Sequence, residues 1–214
     1  MNKTYFAKKT DQIQTHVHNY LKGLGFRKRN RTFNKVHDSG LVHVINFQLG
    51  KSWSSLNGFF TVNIGVFIPE VHGVITGHEV PKFISEYDCE IRERLGSLMN
   101  QSRIERWMNR TRKDIWWNLA LNVDDLSETV LDTIQKHGLP YLDQFLTLDN
   151  IIKKWKKHGQ SIGLPPRAGL SIAIMLASQG DMNQAKQILQ KEYDKPYSLF
   201  VNEIAQKIGI TDFD

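Results

Sequence analysis

Residues 41–69 read LVHVINFQLGKSWSSLNGFFTVNIGVFIP, and this stretch decides the fold class. Two runs rich in β-branched and aromatic residues flank a Ser-rich segment, which is typical of two β-strands joined by a loop. In the second run, residues 59–68, apolar side chains alternate, so one face of that strand is predicted to point into the core. The residues on that face are Phe60, Val62, Ile64, Val66 and Ile68.

The segment before these strands predicts a helix and a further strand. Residues 10–23 carry apolar side chains at helical spacing, with Thr10 as the candidate N-cap. Residues 26–36 read FRKRNRTFNKV and predict one strand, which pairs with residues 41–49 through the turn HDSG. Two later strands are predicted at residues 88–95 and 115–121.

After residue 122 the pattern changes from strands to helices. The predicted helices cover residues 125–137 and 149–158, then a helical hairpin and a last helix that begin at Pro166 and Pro196. The fold class is therefore predicted to be α+β, with an N-terminal helix and antiparallel β-sheet in residues 1–122 and a helical C-terminal region in residues 123–214. No linker-like composition separates them, so they are expected to pack as one unit.

Three segments carry a resemblance to a known family: LKGLGFRKRNRTFNK, LVHVINFQLGKSWSS and FTVNIGVFIPEV. Together with EYDCEIRERLGSLM and DIWWNL, they resemble a bacterial family known as domain of unknown function 4304. The resemblance covers residues 10–145 and implies a bacterial cytoplasmic setting. It supplies no activity, cofactor or catalytic residue, and nothing is carried over to the helical extension that follows.

Composition and charge narrow the classes of function. The net charge of +6 is concentrated in residues 1–60, which hold ten Lys or Arg and two Asp. Such an excess attracts an acidic protein or nucleic acid, although a solvated basic face gives the same pattern. The single cysteine, Cys89, fits a reducing compartment. With no apolar run of membrane-spanning or signal-peptide type, the sequence predicts a cytoplasmic protein without a membrane partner.

The first candidate site is the basic strand. If residues 26–36 form one strand, Arg27, Arg29 and Arg31 share one face, and Lys35 continues the row. Such a row can contact phosphates or acidic side chains. The alternatives are a solvated edge strand protected by its charges, or ion pairs across the sheet. The acidic residues available for such pairs are Asp88, Glu90 and Glu93.

The second candidate site is the polar side of the two best strands. Asn46 and Gln48 share one face of the first strand, and Thr61 and Asn63 share the non-aliphatic face of the next. If those faces coincide, four donors and acceptors converge, which suits a small polar ligand or a partner's backbone. Buried amides must also find hydrogen bonds, so the same residues can instead hold a covering loop.

Metal binding and catalysis have weaker signals. The segment PEVHGVITGHEVP contains residues of metal-ligating type, but their spacing matches no known metal motif. These residues are Glu70, His72, His78 and Glu79. The sequence has no nucleophile elbow, phosphate-binding loop or dinucleotide fingerprint. We therefore predict no metal site, no cofactor and no catalytic residue.

These observations predict a non-enzymatic protein-interaction module with an acidic protein partner. By analogy with other bacterial sheet-based modules, a defence or toxin-neutralisation setting is expected. The alternative is a nucleic-acid-binding protein that uses the basic strand. Which face of the sheet the C-terminal helices cover decides whether the site at Asn46 and Asn63 stays open.

Overall fold

A computed structural model describes residues 4–99, 114–165, 167–193 and 198–210. It has the predicted α+β architecture, with an N-terminal helix, an antiparallel sheet and a series of C-terminal helices. The predicted helix starts at Pro166 and Pro196 lie outside the described residues. Within the described residues, no helix has both the length and the apolar character needed to cross a membrane.

Helix α1 (Tyr5–Gly23) begins earlier than predicted. The hydroxyl of Thr4 accepts a hydrogen bond from the backbone N–H of Ala7 at 3.3 Å, so Thr4 is the N-cap. Thr10 is buried inside the helix and donates to the carbonyl of Phe6 at 2.9 Å. The start predicted at Thr10 was therefore wrong, because this hydroxyl bonds back to the preceding turn instead of capping a new one.

The strands of the sheet are β1 (Arg27–Arg29), β2 (Thr32–Val36), β3 (Val42–Leu49), β4 (Phe59–Phe67), β5 (Ile91–Arg94) and β6 (Trp117–Asn118). The sheet has the order β1-β2-β3-β4-β5, and every described pair of neighbours is antiparallel. The short strand β6 pairs with the beginning of β4. The predicted pairing across the HDSG turn is confirmed as β2 with β3.

The single strand predicted for residues 26–36 was wrong, because this segment is itself a tight hairpin. Arg29 lies opposite Thr32, which leaves a two-residue turn of Asn30 and Arg31. Asn30 has a φ of 53°, in the left-handed region that asparagine tolerates better than most residues and that tight hairpin turns require. The chain therefore reverses direction in the middle of the basic segment.

The later strands are shorter than predicted. A 3₁₀ turn (Glu86–Asp88) precedes β5. In this turn the carboxylate of Asp88 accepts a hydrogen bond from the backbone N–H of Ser85 at 3.2 Å. Helix α2 (Pro69–Thr76) follows β4, and its proline suits the first turn of a helix. Only β6 remains of the strand predicted at residues 115–121.

The remaining helices of the described residues are α3 (Leu95–Leu98), α4 (Val123–Thr133), α5 (Leu139–Leu142), α6 (Leu148–His158), α7 (Ala168–Ser178), α8 (Met182–Tyr193) and α9 (Ser198–Lys207). A π-helical turn (Ile134–Gly138) joins α4 to α5. The helix predicted at residues 149–158 is confirmed as α6.

The main apolar core lies between one face of the sheet and the helices. The aliphatic face predicted for β4 is buried as expected, and it shares one apolar cluster with Val17 of α1, Val130 of α4 and Ile174 of α7. Because side chains alternate along a strand, Asn46 and Asn63 point to the other face of the sheet. The helices in this cluster therefore pack on the face away from the amide site.

Candidate functional site

Four polar side chains of β3 and β4 meet on one face of the sheet. Asn46 lies directly opposite Asn63, and Gln48 lies opposite Thr61. The Nδ2 atom of Asn63 donates to Oε1 of Gln48 at 2.8 Å, and Nδ2 of Asn46 donates to Oγ1 of Thr32 on β2 at 2.8 Å. The polar side chains of β3 and those of β4 therefore lie on the same face of the sheet and form one continuous polar surface.

The four side chains differ in how far they reach solvent. Thr61 is fully buried, and its hydroxyl oxygen has no hydrogen-bond partner among the described residues. Asn63 is buried, whereas Asn46 and Gln48 are half-buried. Asn46 and Gln48 are therefore the groups that a ligand can reach, and Asn63 orients the amide of Gln48.

The amides belong to a row of residues that are paired from strand to strand across the sheet, and an arginine lies at each end of this row. Arg29 on β1 lies opposite Thr32, and Asn63 lies opposite Arg94 on β5. With strands about 4.8 Å apart, the Cα atoms of Arg29 and Arg94 are about 19 Å from each other. In the neighbouring row, Arg27 and Arg92 occupy the same two edges.

The two edges of this polar face differ in charge. Nε of Arg92 pairs with the buried carboxylate of Glu86 at 2.7 Å, and Arg94 pairs with Asp114. At the other edge, Arg27 and Arg29 are exposed and pair with no carboxylate in the described part of the chain. The uncompensated positive charge of this face therefore lies along β1.

The four-residue basic row predicted from the sequence was wrong in two of its members. Arg31 lies in the turn after β1, where its Nε pairs with Asp11 of α1 at 3.1 Å and its Nη2 donates to the carbonyl of Ala7 at 3.3 Å. Lys35 points to the opposite face of β2, with its Nζ 5.9 Å from the ring centre of Phe26. Both residues were misplaced because the prediction treated β1, the turn and β2 as one continuous strand.

The alternative prediction, ion pairs across the sheet between the basic strand and the acidic residues at positions 88–93, does not match the structure. β1 and β5 are opposite edges of the sheet, so acidic residues near β5 do not face the arginines of β1. Arg92 and Arg94 were missed as site residues, although they alternate in the sequence IRER as Arg27 and Arg29 do in RKR. This alternation is the sequence feature that could have identified Arg92 and Arg94 as site residues.

Two depressions flank the amides. One has a volume of about 310 Å³ and includes Gln48, Asn63, Arg94 and Asp114 in its lining. The other has a volume of about 870 Å³ and extends past Asn46 toward Arg31 and α1. Gln48 lines both, so its half-buried amide lies between the two depressions.

The rest of this face is covered by a loop that Asn34 holds in place. The side chain of Asn34 donates to the carbonyl of Ile84 at 3.0 Å and accepts from its N–H at 2.6 Å. Ile84 packs on apolar residues of the same face in a second, smaller cluster. The face is therefore divided into an apolar half under the loop and an open polar half. The other members of the cluster are Val42, Val44, Phe67 and Cys89.

We expect Asn34→Ala to destabilise the protein by about 1–3 kcal/mol, because it leaves the buried N–H and carbonyl of Ile84 without partners. Urea unfolding measures the free energy, and hydrogen exchange at the Ile84 amide reports local opening of the loop. Asn57→Ala, at an exposed asparagine, is the control. Equal stability of both variants would contradict the anchoring role of Asn34.

The residues considered as metal ligands do not form a cluster. Glu70 and His72 lie on α2, whereas His78 and Glu79 follow it. In the ranges that the structure describes, no group of three or more His, Cys, Asp or Glu side chains is arranged to hold a metal ion. Oε2 of Glu70 and Nε2 of His72 are buried without a hydrogen-bond partner among those residues.

Comparison with known proteins assigns a family. The model of a domain of unknown function, DUF4304, matches residues 17–144, and the chain belongs to this family. The match contains the whole sheet, the amide site and the arginines of both edges, and it ends before α6. Searches of curated proteins and of solved structures find no match to the chain.

Proposed function

We propose that this member of the DUF4304 family is a non-enzymatic interaction module whose open polar sheet face binds an acidic segment of a partner protein. The observation that supports the proposal is the position of Arg27 and Arg29. Both are exposed, both lack a carboxylate partner in the described residues, and both lie on the same face as Asn46 and Gln48.

The chemistry of these groups suits an acidic peptide. A guanidinium can bind a carboxylate through two parallel hydrogen bonds, and side-chain amides can both donate to and accept from a peptide backbone. Exposed ion pairs contribute only about 0.2–1 kcal/mol each, so the affinity of a short acidic segment is expected to be weak. Additional contacts with a folded partner would increase it.

The same face fits nucleic acid less well. Arg31 is paired with Asp11, Lys35 lies on the other face, and Arg92 and Arg94 are neutralised by their own carboxylates. A phosphate backbone is held by a longer track of cations, each of which contributes to the salt dependence of binding. Nucleic-acid binding through β1 remains the alternative that the experiment below distinguishes.

We place this module in the bacterial cytoplasm, in a defence or toxin-neutralisation setting. The lone, buried thiol of Cys89 supports a reducing compartment. The setting rests on analogy with other sheet-based modules that neutralise a partner by binding it. An acidic surface on the partner is the property that the site requires.

We expect the double substitution Arg27→Glu and Arg29→Glu to weaken binding of a Glu-rich peptide at least about tenfold, because it replaces two attractive charges by two repulsive ones. Fluorescence anisotropy with a labelled twelve-residue acidic peptide measures the dissociation constant. The control is the pair Lys153→Glu and Lys157→Glu on α6, which changes the net charge by the same amount at exposed positions.

The same titrations are repeated with single-stranded DNA and duplex RNA at several salt concentrations. Peptide binding that is lost in the arginine variant and kept in the lysine variant supports the proposal. If the nucleic acids bind more tightly, with a steep salt dependence that the arginine variant reduces, the alternative function is correct. Equal loss in both variants, or no peptide binding at low salt, overturns the proposal.

A further inference from the structure

A separate cavity lies between α2, β5 and the loop that precedes α7. Its volume is about 460 Å³, within the range of pockets that bind small molecules. α2 forms one wall, residues 87–90 with Arg92 form the second, and residues 163–165 with Arg167 form the third. The third wall lies beyond the region that the family model matches, so the cavity is shared between the family domain and its C-terminal extension.

The third wall is held firmly against the sheet. The carbonyl of Gly163 accepts from the N–H of Arg92 at 3.0 Å, and the hydroxyl of Tyr141 donates to the carbonyl of Ile162 at 2.8 Å. Gly163 has a φ of 85°, and a Cβ atom there would lie 2.7 Å from the Arg92 carbonyl oxygen. The cavity is therefore preformed, which lowers the entropic cost of binding.

One side of the cavity is apolar. Val71 and Ile75 of α2 face it from the first wall, and Leu164 lines it from the third. Val71 and Leu164 are buried, and Ile75 is half-buried. These side chains form a surface that fits a hydrocarbon chain or an aromatic ring.

Most of the charged side chains that line the cavity already form a hydrogen bond or an ion pair within the protein. The carboxylate of Asp88 caps its own turn, the guanidinium of Arg92 pairs with Glu86, and the carboxylate of Glu90 accepts from the hydroxyl of Ser171. Burial raises the pKa of Glu90, whereas the hydrogen bond from Ser171 and the charge of Arg167 oppose this shift. Arg167 is exposed and forms no ion pair in the described residues, although its charge acts on Glu90.

We propose that this cavity binds a small carboxylic acid with an apolar body. The carboxylate contacts the guanidinium of Arg167, and the apolar body lies between α2 and Leu164. This cavity shares Arg92 with the smaller depression beside the amides, but neither Arg27 nor Arg29 lines it. A ligand here would contact the family domain and the C-terminal extension together and so stabilise their packing.

The test uses benzoate and hexanoate as probes, with benzyl alcohol and hexanol as neutral analogues. Titration of the full-length ¹⁵N-labelled protein is expected to shift the amide signals of Arg92 and Gly163 in a saturable way, with the acids bound about tenfold more tightly than the alcohols. Arg167→Ala is expected to remove this preference. Arg27→Ala, which alters the proposed peptide site, is expected to leave it unchanged.

A second variant, Ile75→Trp, fills the cavity and is expected to abolish binding of acids and alcohols alike, with circular dichroism used to verify its fold. Since Arg167 is exposed, the Arg167→Ala variant gives a result even if Ile75→Trp is unstable. The proposal is overturned if no probe gives saturable shifts up to about 10 mM. It is equally overturned if Arg167→Ala binds the acids as tightly as the unmodified protein.

Discussion

Phe60→Ala is expected to lower the free energy of unfolding by about 3–5 kcal/mol, which is a large fraction of the stability of a typical domain. Phe60 is fully buried on β4, and its ring stacks between Phe47 at 6.2 Å and Trp117 at 5.6 Å between ring centres. Removing the ring leaves a cavity at the junction of β3, β4 and β6, where the backbone ladder limits collapse. Urea unfolding with both fluorescence and circular dichroism measures the loss.

Phe59→Ala is the matched control for this prediction. Phe59 directly precedes Phe60 on the same strand but points to the opposite face and is half-buried. Its replacement is expected to cost about 1–2 kcal/mol, because less apolar area is lost and solvent can fill the space. If Phe59→Ala destabilised the protein as much as Phe60→Ala, the assignment of the core to the Phe60 face would be incorrect.

The alternation in β4 could be predicted because each residue on the core face meets the same apolar environment. A shift by one residue would expose the whole aliphatic set, so the sequence constrains the register strongly. The amide site followed from the same reasoning, since Asn46 and Asn63 must lie on the other face. Their direct opposition depends on how β3 and β4 are paired, which the length of the intervening loop leaves undetermined in the sequence.

The basic hairpin could not be recognised in this way because its turn residues are Asn30 and Arg31, without a glycine. An alternating row of arginines and lysines carries no apolar signal that would reveal a reversal of direction. The turn includes Asn30, which has a positive φ although it is not a glycine. The reversal of direction has a large consequence, since it moves Arg31 and Lys35 out of the candidate site.

The covering loop and the second cavity depend on contacts between distant parts of the chain. Asn34 holds Ile84 across fifty positions, and Gly163 contacts Arg92 across more than seventy. Neither contact has a local sequence pattern, because each depends on how α2 and the C-terminal helices pack around the sheet. The charge of Arg92 was visible in the sequence, but its neutralisation by Glu86 was not.

Protein stability is expected to fall by about 2–3 kcal/mol between about pH 7.5 and pH 4.5 through His43 alone. His43 is 2% exposed on the core face of β3, and its Nε2 lies 3.1 Å from the carbonyl oxygen of Phe145. A carbonyl only accepts, so Nε2 carries a proton in the neutral ring. The pKa of His43 is lowered to about 4, chiefly by burial; the hydrogen bond with Phe145 opposes this shift, and the charges of His37 and Lys35 add to it.

Stability falls on acidification because the folded and unfolded states bind a proton at His43 at different pH values. In the unfolded chain the pKa of His43 is 6.5, so above that value the ring is neutral in both states and the stability is fully present. As the pH falls below 6.5, the unfolded state takes up a proton that the folded state does not, and stability is lost. The loss continues until the folded protein is itself protonated near pH 4.

His43→Gln separates this contribution from all other titrating groups, because glutamine keeps an N–H donor for the Phe145 carbonyl and does not titrate. Urea unfolding of both proteins at several pH values gives the difference in stability, which should shift in favour of the variant by about 2–3 kcal/mol on acidification. His78→Gln, at an exposed histidine, should follow the unmodified protein at every pH. A difference between His43→Gln and the unmodified protein that does not change with pH would mean that His43 is not buried as a neutral ring. The contact between β3 and Phe145, which joins the sheet to the segment preceding α6, would then have to be reassigned.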